Sequence, residues 1–324
     1  MRGIRVSLGT AISLGLKEGA LPSPPTTAYL MLGENCLNNC AFCTQARDAD
    51  SSGELLSRVT WPSFGMGKVI NSFKQGGKNR FDRICIQCLN DPIMLGKLEW
   101  VVSQLREAAP LPISVSVGPL GRKKLESLKK AGVERIGIAI DGGSEKVFAE
   151  VKGSGVGNPY TYESTWRAMD TALSVFGKGF VSTHLIIGIG ETDKDVAQTL
   201  QKASDMGVTV SLFSFTPMKG TALKNSPPTL GRYRALQIMR NYVDVQGNLD
   251  PFGFDGEGKL MRMDTNTILE VTDLIDSFRT RGCPDCNRPY YNERPGKTMY
   301  NYPHPVDGSI IEEGISLAEE YVVG

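Results

Sequence analysis

Short, almost continuously apolar segments alternate with helix-like segments along most of this chain, and this alternation limits its fold more than any other feature. Residues 136–140, Ile-Gly-Ile-Ala-Ile, are typical of the apolar segments. Because such segments lack a polar face, they predict strands covered on both sides, as in a parallel sheet. The predicted strands are residues 28–32, 83–86, 113–117, 135–140, 180–187 and 209–215.

Helical patterns fill the intervals between these strands. The predicted helices are residues 60–75, 94–109, 123–131, 164–176, 194–206, 233–247 and 267–279. Six strand–helix units predict an α/β fold, and they fit a complete or partial (β/α) TIM-type barrel. An open doubly wound sheet gives the same alternation and stays an alternative on periodicity alone. In both folds, ligands bind at the carboxyl ends of the strands.

Charge and hydropathy indicate which partners and which cellular location to expect for this chain. The 36 Lys and Arg residues balance 35 Asp and Glu residues, so no nucleic-acid or membrane partner is expected. Residues 6–16 are too polar for a good signal peptide and predict a short helix under the barrel, in a cytoplasmic protein. We divide the chain into an extension (1–27), a barrel (28–280) and a tail (281–324).

Three cysteines lie close together just after the first predicted strand, in one loop. Cys36, Cys40 and Cys43 have the spacing C-x3-C-x2-C. Three thiolates can bind three irons of a [4Fe–4S] cubane and leave the fourth iron open for an amino-acid chelator. A structural zinc site and an ordinary cubane both take four protein ligands, so three cysteines are informative. A zinc loop with a remote fourth ligand is the alternative.

Four more cysteines form two C-x2-C pairs. They are Cys85, Cys88, Cys283 and Cys286. They suit an auxiliary [4Fe–4S] cluster, a tetrahedral zinc ion or, as the plainest alternative, inert buried thiols. Residues three apart in a strand face opposite sides, so Cys85 and Cys88 converge only if the strand ends or bulges between them. Residues 90–92, Asn-Asp-Pro, suggest such an end. The aperiodic segment 281–296 is then pinned by its cysteines.

Several polar and glycine residues follow the predicted strands. Gly188 and Gly190, in residues 184–192, allow a close approach of the backbone to a ligand. Asp141 ends the fourth strand, where it either accepts hydrogen bonds from ribose hydroxyls or caps the turn at 142–143. Ser116 closes the third strand, and Pro217 follows the sixth.

The cysteine loop resembles the signature of the radical S-adenosylmethionine (SAM) superfamily. Residues 184–192 and the loop around Pro217 are similar to segments of biotin synthase. The resemblance implies that SAM binds the open iron and is cleaved by one electron to methionine and a 5′-deoxyadenosyl radical. The implied SAM-binding residues are Phe42, Ser116, Asp141, Gly188, Gly190, Glu191 and Pro217. No catalytic side chain is assigned.

Nearly the full chain resembles the paired, biotin-synthase-like lipoyl synthases of archaea and some bacteria. The similar segments are residues 5–11, 24–30, 40–47 and 283–296. Val115 and Ser182 stand where biotin synthases carry further cysteines, so biotin synthesis is not expected. The resemblance implies sulfur insertion at C6 or C8 of a protein-bound octanoyl chain, with sulfur from an auxiliary cluster. Arg288, Tyr290, Tyr291 and Arg294 either close over that cluster or pack the tail onto the barrel.

The resemblance also implies partners. They are an octanoylated lipoyl carrier protein, such as the glycine cleavage H protein or a lipoyl domain, a second paralogous lipoyl synthase, and an electron donor such as ferredoxin or flavodoxin. Two alternatives stay open. One is another radical SAM reaction on a small molecule, and the other is an iron–sulfur or zinc protein without enzymatic activity.

Overall fold

A computed structural model describes residues 3–293 and 295–324. In these residues the strands are β1 Ile4–Val6, β2 Thr27–Leu32, β3 Leu55–Leu56, β4 Val59–Thr60, β5 Ser63–Phe64, β6 Arg83–Cys88, β7 Ile113–Val117, β8 Arg135–Ile138, β9 Val181–Ile187, β10 Thr209–Ser214, β11 Phe252–Phe254 and β12 Leu260–Met263. The helices are α1 Leu8–Ser13, α2 Met66–Lys74, α3 Pro92–Leu95, α4 Leu98–Ala108, α5 Arg122–Ala131, α6 Glu145–Val151, α7 Tyr162–Phe176, α8 Asp193–Met206, α9 Leu230–Gln246, α10 Thr265–Val271 and α11 Gly308–Val323.

The main sheet contains six parallel strands that follow one another in chain order. Its hydrogen-bonded order is β10-β9-β8-β7-β6-β2-β1-β5, and β1 and β5 run antiparallel to their neighbours. The parallel pairings continue without interruption from β2 to β10. Within the described residues the ladder does not close from β10 back to β5, so the (β/α) barrel is partial.

Side chains on both faces of this sheet are buried or partly buried. Every residue of β2 is buried, and β9 alternates between fully and partly buried residues. Val181, Leu185 and Ile187 of β9 belong to the large core between the sheet and the helices. The partly buried His184 and Ile186 point to the other face, toward the barrel interior. The sheet is therefore covered on both faces, as predicted for parallel strands.

The predicted strands agree closely with the observed β2, β6, β7, β8, β9 and β10. The predicted helix 60–75 begins late, at Met66, because residues 55–64 form the β3–β4 hairpin and β5. The predicted helix 94–109 is divided between α3 and α4 at residues 96–97. The short helix expected within 6–16 is α1, but the strand β1 before it was not predicted.

The C-terminal helix α11 was also missed. It packs on α9, and the Tyr321 hydroxyl donates to the buried carboxylate of Asp193 at 2.7 Å. Asp307 caps its first turn by accepting a hydrogen bond from the Ile310 N–H. The capping aspartate and the helical spacing of its apolar residues were available signals.

The segment between these helices, residues 281–293, crosses the open side of the barrel. Near its start, Asn287 accepts from the Thr26 N–H at 3.0 Å and donates to the Pro24 carbonyl at 2.8 Å, beside the beginning of β2. Farther along, Asn292 donates to the carbonyl of Ser214, the last residue of β10, at 2.7 Å. The segment is therefore pinned by side-chain hydrogen bonds of Asn287 and Asn292, whereas pinning by its cysteines stays a prediction. No helix in the described part of the chain is long and apolar enough to span a bilayer.

Candidate active site

The cysteine loop lies between β2 and the β3–β4 hairpin and is held by backbone hydrogen bonds from other segments. The Ala41 N–H donates to the Val151 carbonyl at 2.8 Å, and the Ala41 carbonyl accepts from the Leu223 N–H at 2.8 Å. The Leu37 N–H donates to the Asn90 carbonyl at 2.9 Å. The loop is therefore fixed above the carboxyl ends of the strands, where the sequence placed it.

The thiols of this loop are free and are suited to metal binding. Burial raises the pKa values of Cys40 and Cys43 to about 12. The amide of Asn158 donates to Cys40 Sγ at 3.7 Å, and the Gln45 N–H donates to Cys43 Sγ at 3.4 Å. Buried thiols that receive N–H donors need a cation to hold them as thiolates, and a bound metal would supply that charge.

The zinc alternative for this loop needs several side chains that bind one and the same ion. In residues 3–293 and 295–324, no three His, Cys, Asp or Glu side chains converge as ligands of one ion. The expectation of a zinc loop therefore gains no support from the structure. A cubane needs no such convergence, because each cysteine binds a different iron.

A chamber of about 940 Å³ opens beside the loop, and we call it the upper chamber. Its lining includes Phe42, Cys43, Leu56, Ser57, Gln87, Cys88, Leu89, Ser116, Ala139, Asp141, His184, Ile186, Phe213, Ser214, Phe215, Thr216, Arg288, Tyr291 and Asn292. Three predicted SAM contacts, Phe42, Ser116 and Asp141, are thus together. Among the described lining residues, Gly188, Gly190, Glu191 and Pro217 do not occur, and Pro217 is exposed.

Asp141 has an unusual backbone conformation and forms an ion pair with Lys152. Its φ of 59° is unusual for a non-glycine residue, and backbone hydrogen bonds to His184 and Ile186 of β9 hold it there. Its carboxylate accepts from Lys152 Nζ at 2.5 Å. Burial alone lowers the pKa of Lys152, but attraction to Asp141 and Cys40 raises it above its usual value. Sequence reasoning missed Lys152, because only tertiary structure brings it here.

The glycine segment after β9 builds a turn around Glu191. Gly188 and Gly190 have φ values of 103° and 125°, where glycine is strongly favoured. The Glu191 carboxylate accepts from the Gly188 N–H at 2.8 Å and pairs with Arg232 at 3.0 Å. The Glu191 side chain is fully buried, so the structure gives it a role in holding the turn, not in lining the chamber.

A second cysteine group lies deeper in the barrel, around a small cavity that we call the lower cavity. Cys85 reaches it from β6, and Cys283 and Cys286 reach it from the tail. Ser114 Oγ donates to Cys283 Sγ at 3.1 Å, and the Tyr29 hydroxyl lies 3.4 Å from Cys286 Sγ. Burial raises the pKa of Cys85 to about 12. Three of the four predicted auxiliary cysteines are therefore brought together.

Cys88 does not join this group. The expectation that the strand ends between Cys85 and Cys88 is wrong, because β6 continues through Cys88. The two side chains consequently face opposite sides of the sheet. Cys88 packs against the core between sheet and helices and reaches only the upper chamber.

Arg288 separates the two cysteine groups. Its guanidinium lies 4.8 Å from the ring centre of Phe213, 5.4 Å from that of Tyr291 and 5.8 Å from that of Tyr29. Burial alone lowers the pKa of Arg288, but the neighbouring Cys286, Tyr29 and Cys85 raise it above its usual value. This residue thus places a permanent positive charge beside the thiols, and such a charge favours a negatively charged cluster.

The tail has a strained backbone on both sides of Arg288 and at Arg288 itself. Asp285, Arg288 and Tyr290 have φ values of 63°, 35° and 57°, all in the left-handed region. Such conformations cluster at functional sites. Arg288 and Tyr291 face the upper chamber, Tyr290 faces an outer groove, and the predicted contribution of Arg294 lies outside the described residues.

The upper chamber and the lower cavity adjoin each other. The residues that line both are Gln87, Ser116, His184 and Arg288. The lower cavity lies toward the amino ends of the strands, since Thr27 and Arg83 begin β2 and β6. Burial lowers the pKa of His184 to about 3, so a neutral imidazole stands at the junction at neutral pH.

A partial (β/α) barrel with a three-cysteine loop above its strands defines a class of protein. The profile of the radical SAM superfamily matches residues 30–203, more than half of the chain, and the chain belongs to this superfamily. The chain is accordingly a radical SAM enzyme, and the family implies a [4Fe–4S] cluster and SAM.

Individual relatives are more distant. A biotin synthase of Leptospira interrogans is 24% identical over 194 residues, which are 59% of this chain and 52% of that protein. A biotin synthase of Hydrogenobaculum sp. is 25% identical over 209 residues, 63% of this chain and 58% of that protein. The chain thus spans about half the length of the curated relatives it matches.

The solved structure of the FeFe-hydrogenase maturase HydG from Carboxydothermus hydrogenoformans is similar in fold. It superposes with a TM-score of 0.55 at 17% identity and covers 68% of this chain and 52% of that one. At this identity, the likeness concerns the fold alone.

Proposed function

We propose that this radical SAM enzyme inserts sulfur into an unactivated C–H bond, at C6 or C8, of a protein-bound octanoyl chain during lipoyl cofactor synthesis. The observation that carries the proposal is the adjoining pair of cavities. The upper chamber lies beside the three-cysteine loop, with Cys43 in its lining, and the lower cavity is lined by Cys85, Cys283 and Cys286. Hydrogen abstraction and sulfur donation need two cofactors within reach of one carbon atom, and this arrangement provides two neighbouring places for them.

The upper site suits a [4Fe–4S] cluster with SAM. Cys36, Cys40 and Cys43 would hold the cluster, and the chamber lined by Phe42 and Asp141 would receive SAM. When bound, this cofactor pair supplies a 5′-deoxyadenosyl radical that abstracts hydrogen. Lys152 holds the Asp141 carboxylate in place for the ribose hydroxyls, so the protein's contribution here is positioning.

The lower site suits an auxiliary cluster that serves as the sulfur donor. Cys85, Cys283 and Cys286 would hold it, and Ser114 already donates a hydrogen bond to the Cys283 sulfur. Arg288 offsets the negative charge of such a cluster. The Arg288 and Tyr291 side chains cover the upper chamber from the tail side, which keeps water from a carbon radical.

A biotin-like product is less well supported than an octanoyl product. The resemblance matches Val115 and Ser182 to cysteines of biotin synthases; Ser182 lines the lower cavity, whereas the Val115 side chain is buried in the core between sheet and helices. The tail instead brings two thiols into the same cavity. The proposed partners are an octanoylated lipoyl carrier, a second paralogous synthase and a ferredoxin or flavodoxin.

The test is a single-turnover assay with anaerobically reconstituted protein, SAM, a reductant and an octanoyl-lysyl peptide, with and without the paralogous protein. We expect mass spectrometry to show one added sulfur and an equivalent amount of 5′-deoxyadenosine. A matched decanoyl peptide tests chain selectivity. If deoxyadenosine forms but no peptide gains sulfur, even with the paralogue present, the proposal is overturned and another radical SAM reaction is indicated.

A further inference from the structure

Three largely apolar spaces adjoin one another between the tail, helix α1 and the upper chamber. A small inner pocket shares Gln87, Arg288 and Tyr291 with the chamber. An outer groove of about 1140 Å³ shares Gly9, Val59 and Pro289 with the inner pocket. Because they share lining residues, the outer groove adjoins the inner pocket, and the inner pocket adjoins the chamber. We call the inner pocket and the outer groove together the passage.

Apart from Tyr29 of β2 and Gln87 of β6, the walls of the passage come from segments outside the parallel strands and helices of the barrel. Helix α1 and residues 20–25 form one wall, the β3–β4 hairpin forms another, and the tail from Pro289 forms the third. Most of the lining is apolar; examples are Pro25, Val59 and Trp61. Arg288 is charged at the inner end, and Arg58 and Glu293 are charged residues of the outer groove.

We infer that this passage admits the extended acyl chain on its lysine arm, so that the carrier protein stays outside while the carbon chain reaches the chamber. The inference rests on the proposed function. An apolar passage lined by proline, valine and tryptophan fits a saturated chain and would disfavour a charged substrate, because burial of an unpaired charge is costly. The passage enters the chamber beside Arg288, which also faces the cysteines of the lower cavity.

Trp61 adds an unpaired polar group to the wall of the inner pocket, within the described residues. Its side chain is almost fully buried in the wall of the inner pocket. Within the described residues, its indole N–H has no hydrogen-bond acceptor. An acyl-lysine arm carries one polar group along its length, the amide, and the carbonyl of that amide is an acceptor for such a donor.

An apolar passage should also measure chain length. Each methylene removed from water favours binding about fourfold, so a hexanoyl peptide should bind about fifteenfold more weakly than an octanoyl peptide. A passage of fixed depth should give no further gain for chains that exceed it. Fluorescence anisotropy with labelled acyl-lysyl peptides measures this series without any turnover.

Gly9 offers a substitution that narrows the passage with little strain. A Cβ on Gly9 would meet Pro25 at 3.5 Å, an ordinary contact, and the residue lies inside α1. Gly67 in α2 is a matched control, because it is exposed and no atom lies within 4 Å of its Cβ position. We expect Gly9→Phe to raise the KM and Kd for the octanoyl peptide by about tenfold or more, and Gly67→Phe to leave both at the wild-type values.

The outcomes separate the passage from the proposed function. If wild-type protein transfers no sulfur to the peptide, the proposed function fails. If wild-type protein is active and Gly9→Phe binds the peptide as tightly as Gly67→Phe, the passage is wrong while the function stands. Should Gly9→Phe fail to fold, Val59→Phe narrows the passage from the hairpin side and is judged by the same Kd comparison.

Discussion

The two cysteine groups are built in contrasting ways. Cys36, Cys40 and Cys43 lie within eight residues on one loop, which backbone hydrogen bonds fix to its neighbours. The lower group joins Cys85 of a strand to Cys283 and Cys286 of an irregular tail nearly two hundred residues away. One site is local and rests on the barrel, whereas the other exists only after the tail has docked.

This difference implies a division of labour. The loop uses a motif and a position that the superfamily profile itself covers, since the match begins at residue 30 and ends at residue 203. The tail lies beyond that match and brings its thiols, Arg288 and three strained residues to the barrel. Under the proposed function, radical generation depends on the shared part of the chain, and the fate of the radical depends on the tail.

The largest expected effect separates these two roles. Cys40→Ala should abolish 5′-deoxyadenosine formation, because a cluster with two protein ligands cannot present its open iron to SAM correctly. Cys286→Ala should still cleave SAM but transfer no sulfur. Chromatography of deoxyadenosine beside mass spectrometry of the peptide measures both. Equal loss of deoxyadenosine in the two variants would contradict the separation of the sites.

The next effect concerns iron content, and it tests which cysteines belong to the lower group. We expect about eight irons per reconstituted wild-type chain and about four in Cys283→Ala, since a cubane normally needs its cysteine ligands. Cys88→Ala should keep the wild-type content, because Cys88 is not among the residues that line the lower cavity. Colorimetric iron and sulfide assays decide this. A loss of four irons in Cys88→Ala would show that Cys88 is a ligand of the lower cluster after all.

A smaller effect concerns how the tail is held. Asn287 is buried and bonds to the Thr26 N–H and the Pro24 carbonyl. Asn287→Ala leaves both backbone groups without that partner and should lower the free energy of unfolding by about 3 kcal/mol. Urea unfolding measures the change, with the exposed Asn266→Ala as control. If both variants unfold at the same urea concentration, the tail is not anchored through Asn287.

The same contrast explains how much could be predicted from sequence. The strand pattern and the cysteine loop were predicted closely, because each depends on residues near one another in the chain. The error at Cys88 came from placing the end of a strand too early; residues 90–92 follow its end at Cys88. Lys152 and Asn158 could not be connected with the loop, because tertiary packing alone brings them to Asp141 and Cys40.

The smallest effect concerns the hydrogen bonds to sulfur, and it compares the two groups under matched conditions. Ser114 donates to Cys283 Sγ at 3.1 Å, and Asn158 donates to Cys40 Sγ at 3.7 Å. A donor to a ligand sulfur stabilises the more negative, reduced cluster, so its removal should lower the reduction potential. Ser114→Ala should therefore lower only the potential of the lower cluster, and Asn158→Ala only that of the upper one. Because the Ser114 bond is shorter, its loss should give the larger change in a potentiometric titration followed by electron paramagnetic resonance. If either variant shifted both potentials equally, the two clusters would share one electrostatic environment, and the contrast between a local and an assembled site would not extend to their chemistry.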